Sequence, residues 1–493
     1  MGFTLAIHKI KKITVSRAAR HGRMVLLAAL LLCLLIQPVT AMQAQAALFG
    51  EFTVADEAKL GKEFDIMVRS RLPLVQDPEI LGYFESMVQR LSTRMPPQPF
   101  QFQTSIIRHN AVNAFAVPGG YIFIHTGLIT AMEDEAAVAG VLAHEMAHVT
   151  QRHIASRIER SQAISLLSMV GALAGAFLGG DAGSAAIVGS AAAAQAAMLN
   201  YSRSDESEAD QVGMSYLMAS GYRPIGMVEA FQVLSRPQWI TGSDFPSYLS
   251  THPAITERIS DMSARLRQTP KQPVNKNAKE EHAEFLRIQT LVRGRYANYE
   301  TALQYFSDKL KTEKDKKNLA IFNMGMGILH NRRNQVKDAT TAFKKAVELN
   351  AKDAIILREA GRFHYLKGSR DEALKLLSSA TSINRHDYLA LFYYARLLDD
   401  SGKTGQAITY YQNILRYIPE DSEVHLHYSQ ALGRTGQMFY ANLHMAYSAL
   451  YDHNQKRLSQ FHQRAQKLAN TPQEQAALEA FDKKYEERRA YWK

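Results

Sequence analysis

Residues Gly140–His153 read "GVLAHEMAHVTQRH". They lie inside "EDEAAVAGVLAHEMAHVTQRHIASRIER", Glu133–Arg160, which opens on acids and closes on bases. That is the charge order a helix dipole favours, and one continuous helix is expected. Side chains four apart share a helix face, so His144 and His148 can reach one metal ion. Glu145 lies about 100° further round the axis, beside that point rather than on it. A carboxylate there can take a proton from metal-bound water, the metal having lowered the water's pKa. The flanking Val141, Leu142, Ala143, Met146 and Ala147 are apolar or small. The helix is therefore expected to be buried, and buried histidines need partners.

A catalytic zinc site usually takes three protein ligands and leaves one position to water. Cys33 is the single cysteine and falls in the N-terminal segment, so the third ligand must be a histidine or a carboxylate. "DESEAD", Asp205–Asp210, offers acids on a second expected helix, Arg203–Gly221, which Gly221 stops. Glu206 and Asp210 are four apart. One can bind the metal while the other accepts the free N–H of a ligand histidine. Spacing does not choose between Glu206 and Glu208 as the ligand.

The first 23 residues carry Lys9, Lys11, Lys12, Arg17, Arg20 and Arg23 and no acid. An apolar run, Met24–Ile36, follows, then Pro38 and small-residue sites ending at Ala41 and Ala46. This is the three-part layout of a secretory signal peptide, and the run is short for a membrane span. Bulky Leu32 before Cys33 argues against a lipoprotein signal. The formal charge of +11 hides an asymmetry: residues 47–270 carry 16 Lys/Arg and 22 Asp/Glu, residues 271–493 carry 36 and 25. Two domains with different surfaces fit that split. No basic-plus-aromatic nucleic-acid motif is present, so acidic protein or anionic lipid headgroups are the expected counterparts of the basic half, and nucleic acid is not.

"FQFQTSIIR" and Tyr121–His125 alternate like strands, with a turn at Pro118-Gly119-Gly120. Between Arg160 and Arg203 the one charge is Asp181. Three readings stand for 163–200: buried core helices, a membrane-dipping hairpin, or an apolar flap over the site. "TPKQPVNKNAKEEH", Thr269–His282, is polar with two prolines and reads as a linker. Beyond it Ala339, Ala373, Ala407 and Ala441 recur at 34-residue intervals, as do Phe343, Leu377, Tyr411 and Met445, and Gly327, Gly361, Ala395 and Ser429. This is the period of a tetratricopeptide array, whose concave face binds protein. The expected division is a signal peptide over 1–46, a metallopeptidase domain over 47–268, a linker over 269–282, the array over 283–470 and a C-terminal helix over 471–493.

"NAFAVPGGYIFIHTGLI", "HEMAHVTQRH" and "SRSDESEADQVG", in this order, resemble the CAAX-protease and HtpX-like zinc metallopeptidases. The resemblance implies an α+β zincin-type domain, mostly helical with a small sheet, here followed by an all-α tetratricopeptide solenoid. It implies one zinc ion per chain held by His144, His148 and Glu206, with Glu145 as general base and Asp210 supporting a ligand histidine. It implies that an edge strand of the sheet pairs with substrate, expected at Tyr121–His125. His252 in "THPAITER" matches a family histidine, which would either occupy the open zinc position or stabilise the oxyanion; Arg258 is a second candidate for the latter. His125 and His153 are left as structural, His153 because it falls on another part of the helix face. With the export signal and the array, the resemblance implies a periplasmic endopeptidase, also a chaperone, peripheral to the outer membrane. Its substrates would be unfolded or misassembled outer-membrane β-barrel proteins, and the array would meet the barrel-assembly machinery. The alternative from another class is a non-proteolytic adaptor with a structural or plugged metal site. An intact Glu145 argues against it, since a structural site needs no base.

Overall fold

A computed structural model describes residues 52–160, 166–178, 201–236, 247–268 and 278–489 of the chain. The signal-peptide reading over 1–46 falls outside them. The chain forms two compact units, and the larger, Val54–Ala155 with Leu166–Lys493, carries the elements that follow except the end of α5, from Ser156 on.

Helix α1 (Val54–Arg71) buries Leu60, Phe64 and Val68, one stripe at helical spacing. Asp77 caps α2 (Pro78–Ser92), its carboxylate accepting from the Glu79 and Ile80 backbone N–H groups. Three strands follow: β1 (Gln103–Ile107), β2 (Ala114–Val117) and β3 (Tyr121–His125). Gly119 and Gly120, at φ +84° and +86°, supply the left-handed backbone of the tight β2–β3 turn. The sheet order is β1-β3-β2, with β1 parallel and β2 antiparallel to β3. Tyr121–His125 is therefore not the edge strand. It is the centre of the sheet, because β1 pairs along its whole length from Gln103 opposite Tyr121 to Ile107 opposite His125. Among the described residues no strand pairs with the outer edge of β2.

After α3 (Thr126–Ala131), α4 (Glu135–Thr150) carries the HEMAH residues. Every residue from Ala136 to Val149 is buried, as a helix apolar on all sides should be. The single helix expected over Glu133–Arg160 is in fact two. Arg152 takes φ +54°, and the buried Glu57 of α1 holds its guanidinium at 2.7 Å. There α4 ends, and a separate helix, α5 (His153–Arg160), begins. Helix α6 (Leu166–Leu178) buries Val170, Leu173 and Phe177. The Phe177 ring stacks on Phe115 of β2 at 4.9 Å, and its carbonyl accepts from Asn113. Over 166–178 the apolar stretch is thus packed in protein; residues 179–200 lie outside the described residues. No helix among the described residues is long and apolar enough to cross a membrane.

Helices α7 (Arg203–Ala219) and α8 (Ile225–Leu234) flank α4, and α9 (Ser247–Thr251) and α10 (Ile255–Gln268) complete this half. Ser202 and Asp205 form a reciprocal capping box that fixes the start of α7. At Gly213 a methyl group would stand 2.9 Å from the Ala143 carbonyl oxygen and 3.0 Å from the His144 Cα, so α7 crosses α4 with backbone against backbone.

The array begins with α11 (Ala278–Tyr296), which already starts inside the stretch read as a linker, and α12 (Tyr299–Thr312). Four helix pairs follow: α13 (Lys316–Arg332) with α14 (Val336–Leu349), α15 (Ala354–Leu366) with α16 (Arg370–Ile383), α17 (Tyr388–Asp400) with α18 (Thr404–Tyr417), and α19 (Ser422–Arg434) with α20 (Met438–Tyr451). The second helices start 34 residues apart. So do the left-handed residues that end the first helices, Asn334, Gly368, Gly402 and Gly436. Small residues meet anchors as the period requires: a methyl at Gly327 would stand 2.8 Å from Phe343, and one at Gly361 2.8 Å from Leu377. Helices α21 (Gln455–Leu468) and α22 (Pro472–Arg489) close the array, Phe481 sealing against Tyr447.

The two halves share one core. A continuous apolar cluster runs from Val75 to Ala390. Gln289 of α11 donates to the Ile129 and Met132 carbonyls at 2.9 and 2.7 Å. Fully buried Arg358 of α15 pairs with Glu79 of α2 at 2.8 Å, with Asp387 at 3.1 Å and with Glu359 at 2.9 Å. Arg295 of α11 pairs with Asp77 and Glu359. The array is therefore bolted to the N-terminus of α2 through a largely buried charge network.

Candidate metal centre

Two histidines on α4, a carboxylate on α7 and a histidine after α9 converge where α7 crosses α4. The Nε2 atoms of His144 and His148 face each other at 3.0 Å. Glu206 places its oxygens 3.5 Å from each. His252 directs Nδ1 to Glu206 Oε1 at 3.0 Å. One ligand atom from each of these four residues lies within 4.8 Å of the others, and all four residues are at most 1% exposed. Glu145 is also fully buried, with Oε1 3.6 Å from His252 Nε2.

This donor set fits a metal ion. Two imidazole nitrogens pointing at each other beside a carboxylate, out of reach of water, leave an electron-rich point that needs a cation. The electrostatics agree. Burial and Arg258 push His144 down, yet Asp210 and Glu206 outweigh them and raise it to about 9. Burial alone would raise Glu206, but His252, His144 and Arg258 hold it well below the usual carboxylate range. Burial lifts Glu145 above its ordinary range.

The surrounding shell orients the donors. Asp210 meets His144 Nδ1 at 3.0 Å and is gripped by Arg258 through two bonds, Nε to Oδ2 at 2.8 Å and Nη2 to Oδ1 at 2.7 Å. Arg258 also pairs with Glu206 and lies over the Phe231 ring. Its guanidinium is thus committed to two carboxylates, which argues against the oxyanion role expected as one option. The His252 ring stacks on Tyr248 at 4.3 Å, and Tyr201 lies tilted to His252 at 5.0 Å and stacks on His148 at 3.7 Å. Tyr201 and Tyr248 carried no signal in the sequence.

Glu206, not Glu208, reaches the cluster; Glu208 is turned outward, its side chain 54% exposed. His125 lies buried in β3, outside the four-residue group, and its burial lowers it to about 3. His153, placed by spacing on another part of the helix face, lies with its Nδ1 2.8 Å from His148 Nδ1. The sequence could not show this, because neither Gly nor Pro marks the break at Arg152 that brings His153 round.

Residues 76–266 match the model of Peptidase family M48. Over those residues the chain is similar to that family's domain, and the helical array with its 34-residue period follows. It is similar to the putative beta-barrel assembly-enhancing protease of Vibrio cholerae serotype O1, 34% identical over 221 residues, 44% of this chain and 46% of that protein. It is 32% identical over 219 residues to the beta-barrel assembly-enhancing protease of Escherichia coli strain K12, 44% of this chain and 45% of that protein. The chain spans about half the length of the curated relatives it matches. Among solved structures, Pseudomonas aeruginosa pilF aligns over 41% of this chain and 98% of its own at 16% identity and a TM-score of 0.31.

Proposed function

We propose that this protein is a zinc-dependent endopeptidase of the periplasm that cleaves outer-membrane β-barrel proteins failing to assemble, with the array holding client or assembly-machinery protein. The observation that carries the reading is the buried convergence of His144, His148 and Glu206 with Glu145 beside them. When bound, zinc would lower the pKa of a water molecule to near neutrality and polarise the scissile carbonyl. His144, His148 and Glu206 would hold the ion. Glu145 receives the water proton and returns it to the leaving amine. Asp210 fixes the His144 ring, and Arg258 fixes Asp210. An extended substrate would add along the outer edge of β2, which no strand among the described residues pairs and which lies against α4, so backbone hydrogen bonds would give affinity with little side-chain selection.

His252 occupies the region where a fourth ligand would stand, and this favours a resting state held latent by its imidazole rather than a role at the oxyanion. The same observation supports the second reading, a permanently plugged assembly factor that binds clients without cutting them; the relatives' names and the array are compatible with a chaperone role in either case. The experiment compares wild type with Glu145→Gln on an unfolded outer-membrane protein. Equal zinc content with cleavage lost supports the enzyme, and undiminished cleavage in the variant overturns Glu145 as the base.

A further inference from the structure

The imidazole that α5 presents to His148 is not explained by packing alone. α4 ends at Thr150, Arg152 swings the chain through φ +54°, and His153 comes back against His148 with ring centroids 4.9 Å apart at 72°. His153 is 5% exposed, and the two Nδ1 atoms stand 2.8 Å apart. Two imidazole nitrogens at that distance need one proton between them. His148 turns Nε2 towards His144, so a neutral His148 that ligates through Nε2 carries its single proton on Nδ1. The Nδ1–H then donates, and His153 Nδ1 accepts. The proton of His153 is thereby assigned to Nε2, which faces Glu208 Oε2 at 3.4 Å.

We propose that His153 is a positioning residue for the metal ligand His148, the middle member of a chain running Glu208, His153, His148. It does for His148 what Asp210 does for His144: it fixes the tautomer and ring angle that leave Nε2 free for the metal. The two ligands differ in the group behind them. His144 is backed by a carboxylate held by Arg258, His148 by a neutral ring whose own support is a half-exposed glutamate. This inference rests on the reading of His144, His148 and Glu206 as the metal ligands.

Zinc affinity, measured on the full chain by competition with a chromophoric chelator, tests it without reference to peptidase activity. His153→Ala and His153→Phe both lose the acceptor, Phe while keeping a ring, and both are expected to bind zinc roughly 10–100-fold more weakly. His153→Asn places an amide oxygen near the Nδ1 position and is expected to stay within about threefold of wild type. The melting temperature of each zinc-free protein reports any packing loss separately. Full zinc affinity in His153→Phe, or an Asn variant as weak as Ala, overturns the positioning role and leaves the metal reading standing. A wild-type chain that takes up no zinc overturns both.

Discussion

The contact between α7 and α4 makes Gly213→Ala the most direct test of how the fold builds the site. A methyl at this position would stand 2.9 Å from the Ala143 carbonyl oxygen, 3.0 Å from the Ala143 carbonyl carbon and 3.0 Å from the His144 Cα. All three are backbone atoms of a buried helix, so no side chain can swing aside. Carbon atoms settle at roughly 3.5–4 Å, so the helices must part by several tenths of an ångström. Overpacking of this kind costs about 1–3 kcal/mol. The displacement also acts on chemistry, because His144 and His148 ride on α4 and Glu206 on α7. Metal sites tolerate donor shifts of only about 0.2 Å. Gly213→Ala should therefore lose at least about tenfold in zinc affinity, roughly 1.4 kcal/mol, together with its stability loss. Urea denaturation of the zinc-free chain and chelator competition read the two effects separately. Wild-type zinc affinity in a variant that still folds would refute the claim that this crossing sets the ligand geometry.

Arg358→Met should cost about 3–5 kcal/mol in denaturant unfolding at neutral pH, because it strands the buried carboxylate of Asp387, leaves Glu359 with Arg295 and Arg362 alone, and frees Glu79; a loss below about 1 kcal/mol would contradict the charge network described above. Glu135, at the start of α4, is pushed from an ordinary 4.5 up to about 7, first by burial and then by Glu281, against the pull of Tyr222. A carboxyl raised on folding destabilises the native state as pH climbs from 4.5 to 7, with the penalty complete above 7, so Glu135→Gln should stabilise the chain by about 2–3 kcal/mol at pH 8 and little at pH 5. An equal effect at both values would remove the titration as its cause. His252→Ala should speed cleavage of an unfolded outer-membrane protein while zinc content holds; unchanged cleavage counts against latency, and loss of zinc makes His252 an obligatory ligand.

Much of this protein follows from local periodicity. Residues four apart share a helix face wherever the helix lies, so His144, His148 and the offset Glu145 were legible from spacing alone. The array was legible for the same reason: a 34-residue unit repeats its small residues, anchors and left-handed turns, and Gly327 and Gly361 meet Phe343 and Leu377 as the period demands. Convergence between distant elements has no such period. Spacing alone left Glu206 and Glu208 equal candidates, and only the family resemblance favoured Glu206; in the packed chain Glu206 is buried in the cluster and Glu208 is 54% exposed. Tyr121–His125 looked like an edge strand until β1 paired beside it, because strand order depends on which segments return to one another. His153 was placed on a different helix face for as long as the helix was assumed unbroken; one left-handed residue, Arg152, held by Glu57 from another helix, brings it to His148. Spacing within an element is set by backbone geometry that every residue shares. The meeting of elements is set by side chains and close backbone contacts that exist only once the chain has packed.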